Sequence, residues 1–391
     1  MPTYTLTDAE ADIRLDEIDL GPADIGQADG QGPAWSVRKR TLRGGRRDWV
    51  DLIAIDNGDL GLSVVPTRGM GIWRGYYRDD RLGWDSPIRD GPVHPRLVDL
   101  ASLGGLGWLE GFDELLVRCG TRSNGPPTVE GPFALNLHGR IANIPAHRVT
   151  VAVEPGPPGT IVVEGEVDEA HFLGPQIRMT TRLTTVIGSN RVTIRDEFTN
   201  RADTPGELSM LYHWNFGPPY LGAGSRFHAP IAELSPRDPR SADGIDHFAD
   251  YDGPTPGFAE QAYYCKLIGD GPDGRTLAML RDPSGQRAIV LRFATAQLPT
   301  FTLWKNTAGL RDGYVTGLEP ATNYPNPKPF ERQQGRIIPL APGQSHVAET
   351  TLEVLDTLDA VATAEAEVAE LQARARPTIH RRPTEPFAPR A

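Results

Sequence analysis

RMTTRLTTVIGSNRVTIRDEFTN, residues 178–200, carries the architecture. Two runs rich in Thr, Val, Ile and Arg flank Gly188-Ser189-Asn190, a turn composition. This predicts two antiparallel strands. Val192, Ile194, Asp196 and Phe198 recur at every second position, so one face of the second strand is buried. A helix would need a period near 3.6, which these residues lack.

The same grammar extends in both directions. DWVDLIAIDNG, residues 48–58, ends on an Asn57-Gly58 turn and leads into a second strand run. Further strands are expected at TLAMLRD, AIVLRFAT and PTFTLWKNT. The 42 glycines and 36 prolines are spread between short apolar runs, as many strands joined by turns require. Residues 97–118 are the best early helical candidate, and LDAVATAEAEVAELQARAR reads as an Ala/Glu helix. The fold class is therefore mainly β, one large antiparallel domain with a few short helices. Residues 1–33 read as an N-terminal edge segment, 34–355 as the β domain, and 356–391 as a C-terminal helix followed by a Pro-rich tail with little structure.

Charge narrows the function. The formal net charge is −11, which argues against nucleic acid and anionic lipid as partners. There is no apolar stretch of about 20 residues for a membrane span, and the N-terminus lacks an apolar signal core. Cys119 and Cys265 are far apart and lack metal-like spacing. The expected location is the cytoplasm, with ordinary thiols.

Four stretches concentrate polar groups in apolar or turn contexts: VVPTRGMGI with Arg68, LNLHGRI with His138 and Arg140, MLYHWNFGPPY with His213 and Asn215, and GYVTGLEPATNYPNP with Glu319 and Asn323. Trp304 and Lys305 precede the last of these. Glu319 closes an apolar strand, where a carboxylate is costly unless paired or hydrogen-bonded. A structural ion pair with Lys305 or an arginine is one reading, a functional carboxylate the other. Pro320 and Pro325 stiffen the loop after it. His138, His213 and Glu319 could form a His₂-carboxylate set, but no local ligand pair supports a metal, and no phosphate loop or nucleophile elbow occurs. No metal or cofactor is expected.

The motifs RGM, HGR, YHWNFG and GLEPATNYP, in that order over residues 35 to 355, resemble the aldose 1-epimerase (galactose mutarotase) superfamily. The resemblance implies a β-supersandwich with a sugar cleft and interconversion of anomers at C1. Glu319 then matches the base and His213 the acid. His138 matches a sugar-binding histidine, and Arg68 a substrate-orienting arginine. Arg140, Asn215, Trp304, Lys305, Asn323 and Asp246 are further candidate sugar contacts, with Asp243 an alternative to Asp246. Gly217 stands where that superfamily has Asn, and Pro320-Ala321-Thr322 replaces its usual Thr-Gln run. A sugar-binding or sensing protein without turnover, or elimination or hydrolysis at a glycosidic bond, would use the same cleft. The sequence does not specify the sugar or the oligomeric state.

Overall fold

The computed structural model describes residues 2–25, 34–156 and 158–389. The hairpin at its centre runs Gln176–Val186 and Arg191–Asn200, paired antiparallel from Ile177 with Asn200 to Thr184 with Thr193. Side chains alternate strictly between buried and half-exposed along both strands. Val192, Ile194, Asp196 and Phe198 all face the interior.

This hairpin lies inside a sheet of ten described strands, between Ser345–Leu355 and Thr160–Ala170. A second sheet of fourteen described strands packs against it. One continuous core joins the two, with Met179, Ile194 and Phe198 from the first sheet meeting Val64, Met210, Tyr212 and Trp214 from the second. Asp196 is tolerated there because its carboxylate is fully engaged. Arg118 of the second sheet donates Nε to Oδ2 at 2.6 Å and Nη2 to Oδ1 at 3.0 Å, and the Tyr212 hydroxyl donates at 2.8 Å. A buried charge needs this degree of satisfaction. The architecture is the expected antiparallel β-supersandwich.

Asn57-Gly58 turns as its sequence predicts. Asn57 Oδ1 accepts from the backbone of Asp59 and Leu60, and Gly58 takes a φ of 105°, a region open to glycine. Residues 2–25 pair into both sheets: Thr3–Asp8 lies beside Arg148–Glu154, and Glu17–Leu20 beside Ser36–Thr41. The remainder of the expected edge segment, Met1 and residues 26–33, lies outside the described residues.

Two expectations are corrected. Residues 97–118 do not form a helix. Ser102–Gly105 makes one turn, Gly107–Gly111 a 3₁₀ segment, and Leu116 already begins a strand. Leu103, Gly104 and Gly105 have φ of 51°, 70° and 94°, so the glycine pair takes the chain out of helical space. The Pro-rich tail is also ordered. After the helix Leu358–Gln372, which buries Val361, Ala364, Val368 and Leu371 against the ten-stranded sheet, Thr378–Ile379 pairs in parallel with Ile231–Pro236. Phe387 is then buried against Tyr324, with ring centroids 5.5 Å apart, and its carbonyl accepts from Asn326 Nδ2 at 2.7 Å. Apolar burial and this hydrogen bond hold a segment whose prolines could not hold it by a ladder.

Candidate active site

Three neighbouring strands of the fourteen-stranded sheet build the site: Gly206–Phe216, Val315–Ala321 and Thr300–Asn306. Leu211 pairs with Ala321 and Trp214 with Leu318, a register that sets His213 directly opposite Glu319. Pro320 has no N–H to give to the ladder, and the pairing lapses at this step. Opposed residues on one face have adjoining side chains. His213 Nε2 accordingly lies 3.2 Å from Glu319 Oε1. On its other flank Glu319 pairs with Thr302, and Trp304 projects from the same face two residues on.

These side chains form the floor of a cavity of about 470 Å³. Its walls come from Leu106, Trp108, Leu109 and Phe112 of the glycine-rich segment, from His138, and from Pro325 to Pro327. Pro389 of the C-terminal tail closes one side. A small-ligand site of a few hundred Å³ with mostly apolar walls and few polar groups is the usual pattern. Aromatic rings crowd the two histidines. His213 lies 5.2 Å from Phe112 and 5.3 Å from Trp304, and His138 lies 4.7 Å from Trp108. Four buried polar atoms in these walls make no hydrogen bond within the protein: Trp108 Nε1, His213 Nδ1, Thr302 Oγ1 and Glu319 Oε1, the last close to His213 Nε2 but not aligned for one. Buried polar groups are rarely left so, and a cluster of them marks where a polar ligand would complete the structure.

Burial sets the protonation. It pushes the Glu319 carboxyl well above the ordinary range, and Glu260 adds to this while Arg237 opposes it. Burial drives His213 well below its usual value, reinforced by His138. His138 itself is lowered to about 4, again by burial. Its Nδ1 lies 2.7 Å from the Asn124 carbonyl, to which only a protonated Nδ1 can donate, leaving Nε2 as an acceptor. A cation beside Glu319, the structural ion pair that its sequence setting allowed, is not found. Lys305 projects to the opposite face, where Nζ donates to the carbonyls of His247, Phe248 and Asp250. Burial thus disfavours charge on both the imidazole and the carboxyl at the centre.

Of the ten residues singled out from sequence, the structure brings Glu319, His213, His138 and Trp304 around the cavity. The other six stand elsewhere. Arg68 is wholly buried behind the site, donating to Glu114 at 2.6 Å, to Asn143 Oδ1 at 2.6 Å and to the Gly111 carbonyl at 3.0 Å. It ties the end of the cavity-lining segment to the sheet, and faces no ligand. Asn215 lies beneath His213 and donates to the carbonyls of Glu114 and His213. Arg140 is exposed beside His171. Asp246 is exposed and pairs with Arg381, and Asp243 is likewise on the surface. Asn323 accepts from Ser209 and donates to Asn124 Oδ1 at 2.9 Å, so it orders the loop whose Asn124 carbonyl orients His138. Gly139, between His138 and Arg140, admits backbone. A Cβ there would lie 2.3 Å from the Gly120 carbonyl oxygen.

The acid at the cavity rim is Glu260. It accepts from Trp304 Nε1 at 2.7 Å and from Arg237 Nη2 at 2.8 Å. Glu260 immediately precedes the strand Gln261–Leu267, whose Gln261 pairs with Lys305, and this register carries it to Trp304. Its one signal in the sequence is an acid at a strand start after a Pro/Gly-rich loop. Among the described residues no group of three or more His, Cys, Asp or Glu is placed to hold a metal ion, and no helix is long and apolar enough to cross a membrane.

Comparison with known proteins agrees with this fold. The family model "Domain of unknown function (DUF4432)" matches residues 48–354. A crystal structure from Klebsiella pneumoniae, described as a "putative aldose 1-epimerase", is 35% identical over 100% of both chains, with a TM-score of 0.94. A galactose mutarotase-like protein from Clostridium acetobutylicum is 14% identical, with a TM-score of 0.55 over 82% of this chain and 98% of that one. A galactose mutarotase related enzyme from Lactobacillus acidophilus is 12% identical, with a TM-score of 0.52 over 79% and 98%. The last two share the fold. No curated protein matches.

Proposed function

The chain belongs to the DUF4432 family, within the galactose mutarotase-like superfamily, and from that premise we propose that it interconverts the anomers of a free sugar at C1. The observation that carries this reading is the buried contact between His213 Nε2 and Glu319 Oε1 at the floor of a cavity with unpartnered polar walls. The ring oxygen and the anomeric hydroxyl sit on one carbon. Two groups side by side, holding one proton between them, can reach both.

The reaction needs no net proton change. The carboxyl proton passes to His213 Nε2, leaving Glu319 as carboxylate. Glu319 takes the proton of the anomeric hydroxyl while His213 protonates the ring oxygen, and the bond from C1 to that oxygen breaks. The open aldehyde turns about C1–C2. On closure from the other face the attacking hydroxyl gives its proton to His213, and Glu319 gives its proton to the new anomeric oxygen. Each positioned group is worth about 10²–10⁴-fold. Low dielectric around the pair strengthens the hydrogen bonds made as charge shifts between oxygens. His138 Nε2 can accept a sugar hydroxyl, and Trp304, Phe112 and Trp108 offer faces to the apolar side of a pyranose.

Saturation-transfer NMR on a panel of free sugars tests the proposal. At least one sugar is expected to interconvert faster with protein than without, and Glu319→Gln to remove the effect by about 10²-fold or more while sugar still binds. If no sugar is accelerated while sugars bind, the site belongs to a binding or sensing protein.

A further inference from the structure

Beside the catalytic cavity lies a second one, of about 340 Å³, and the two share the walls Leu109, Phe112, Glu260 and Trp304. Trp304 stands between them, fixed by its Nε1 bond to Glu260. Beyond it the second cavity is floored by Trp84 and Ser86 and rimmed by Asn306 and Asp312. Trp84 and Phe112 lie 5.0 Å apart, and Phe112 and Trp304 lie 6.2 Å apart, so three rings line the passage. Asp312 is exposed at the cavity rim, and its carboxylate makes no ion pair or side-chain hydrogen bond among the described residues, whereas Glu260 and the indoles around it are engaged.

Resting on the anomer interconversion proposed for the first cavity, we propose that this adjoining cavity is a second sugar subsite, and that the substrate is a reducing disaccharide or longer oligosaccharide. Anomer interconversion requires a free hydroxyl at C1, which faces His213 and Glu319. A substituent in the second cavity must therefore hang from another carbon of the reacting ring. The walls specify its chemistry. Aromatic faces suit the apolar side of a pyranose, and carboxylate and amide oxygens accept from hydroxyls. Glu260 and Asp312 line the cavity, and no Lys, Arg or His does. A phosphate, sulfonate or uronate there would meet like charge without a partner. Arg237, which lines the first cavity, is already held by Asp238 and Glu260, and Arg81, which donates to the Trp84 carbonyl, is paired with Asp85. The second unit is thus a neutral sugar.

Saturation-transfer difference spectra of the full chain with maltose, cellobiose, lactose and melibiose, beside glucose and galactose, test this. For at least one disaccharide, protons of both rings are expected to receive saturation. Its kcat/KM should exceed that of its reducing monosaccharide. Asp312→Ala should lower the ratio of disaccharide to monosaccharide kcat/KM by about tenfold, the worth of a hydrogen bond to a charged group. Ile88→Trp, which adds bulk to the second cavity, should lower the same ratio. Saturation confined to the reducing ring, binding of no disaccharide, or an equal effect of Asp312→Ala on both substrate sizes overturns the subsite. If both rings are saturated but no anomer interconverts faster, the subsite stands and the proposed reaction falls.

Discussion

His213 and Glu319 meet at 3.2 Å because their strands are in register, and among the described residues no Lys or Arg makes an ion pair with Glu319. An unperturbed carboxylate base paired with an imidazolium acid would work only between about pH 4.3 and 6.5. Burial moves the two groups the other way, the carboxyl up and the imidazole down. If these shifts carry the carboxyl value past the imidazole value, the pair holds a single proton between the two. We expect kcat/KM to be flat through neutrality. The acid limb should lie below the ordinary histidine value and the alkaline limb above the ordinary carboxylate value. A sharp fall in rate just above about pH 6.5 would contradict the shared-proton pair.

The same burial predicts a cost in stability. Because the folded state raises the Glu319 pKa, its contribution is fully present below the unfolded value and is lost as pH rises through the folded one. Glu319→Gln removes that loss. In urea unfolding, the variant should gain on the wild type as pH rises, by at most about 1.4 kcal/mol per pH unit. A difference independent of pH would show that the carboxyl does not titrate in the fold.

Arg68 provides a contrast. Its side chain and that of Glu114 are completely buried. Arg68→Ala leaves an unpaired carboxylate inside the protein and should cost about 3–5 kcal/mol, read by denaturant unfolding. The sugar KM of the remaining folded fraction should change little, since Arg68 does not reach the cavity. A raised KM at unchanged stability would restore its orienting role.

Phe387→Ala tests the tail. Truncating a buried Phe in a core costs about 3–5 kcal/mol. Here the tail is held by a two-residue bridge and a few side chains, so its release should be local. We expect KM to rise while the global unfolding midpoint shifts little. Trypsin should cut after Arg381 faster in the variant than in the wild type. Unchanged KM and protease resistance would count against a role for the tail in the cavity.

The sequence disclosed the strands and the two residues of the buried His213–Glu319 contact more readily than the rest of the site. The hairpin at 178–200 and the Asn57-Gly58 turn are local, and period two or a positive φ announces them. Glu319 stood out because a carboxylate ending an apolar strand is conspicuous. Lys305 and Arg68 were equally conspicuous and belong to backbone carbonyls and to Glu114. A buried polar residue looks the same in sequence whichever it serves, because orientation follows from register between strands far apart in the chain. The same reason hid Glu260. The glycine pairs at 104–107 outweighed the apolar period that suggested a helix, and the tail's prolines concealed a phenylalanine anchor.

The region matched by the family model stops at residue 354, whereas Pro389 borders the cavity and Phe387 braces the loop bearing Asn326. A fragment trimmed to the matched boundary would keep both histidines and the glutamate yet be missing a wall. Weak activity from such a fragment would reflect the trimming and say little about the full chain.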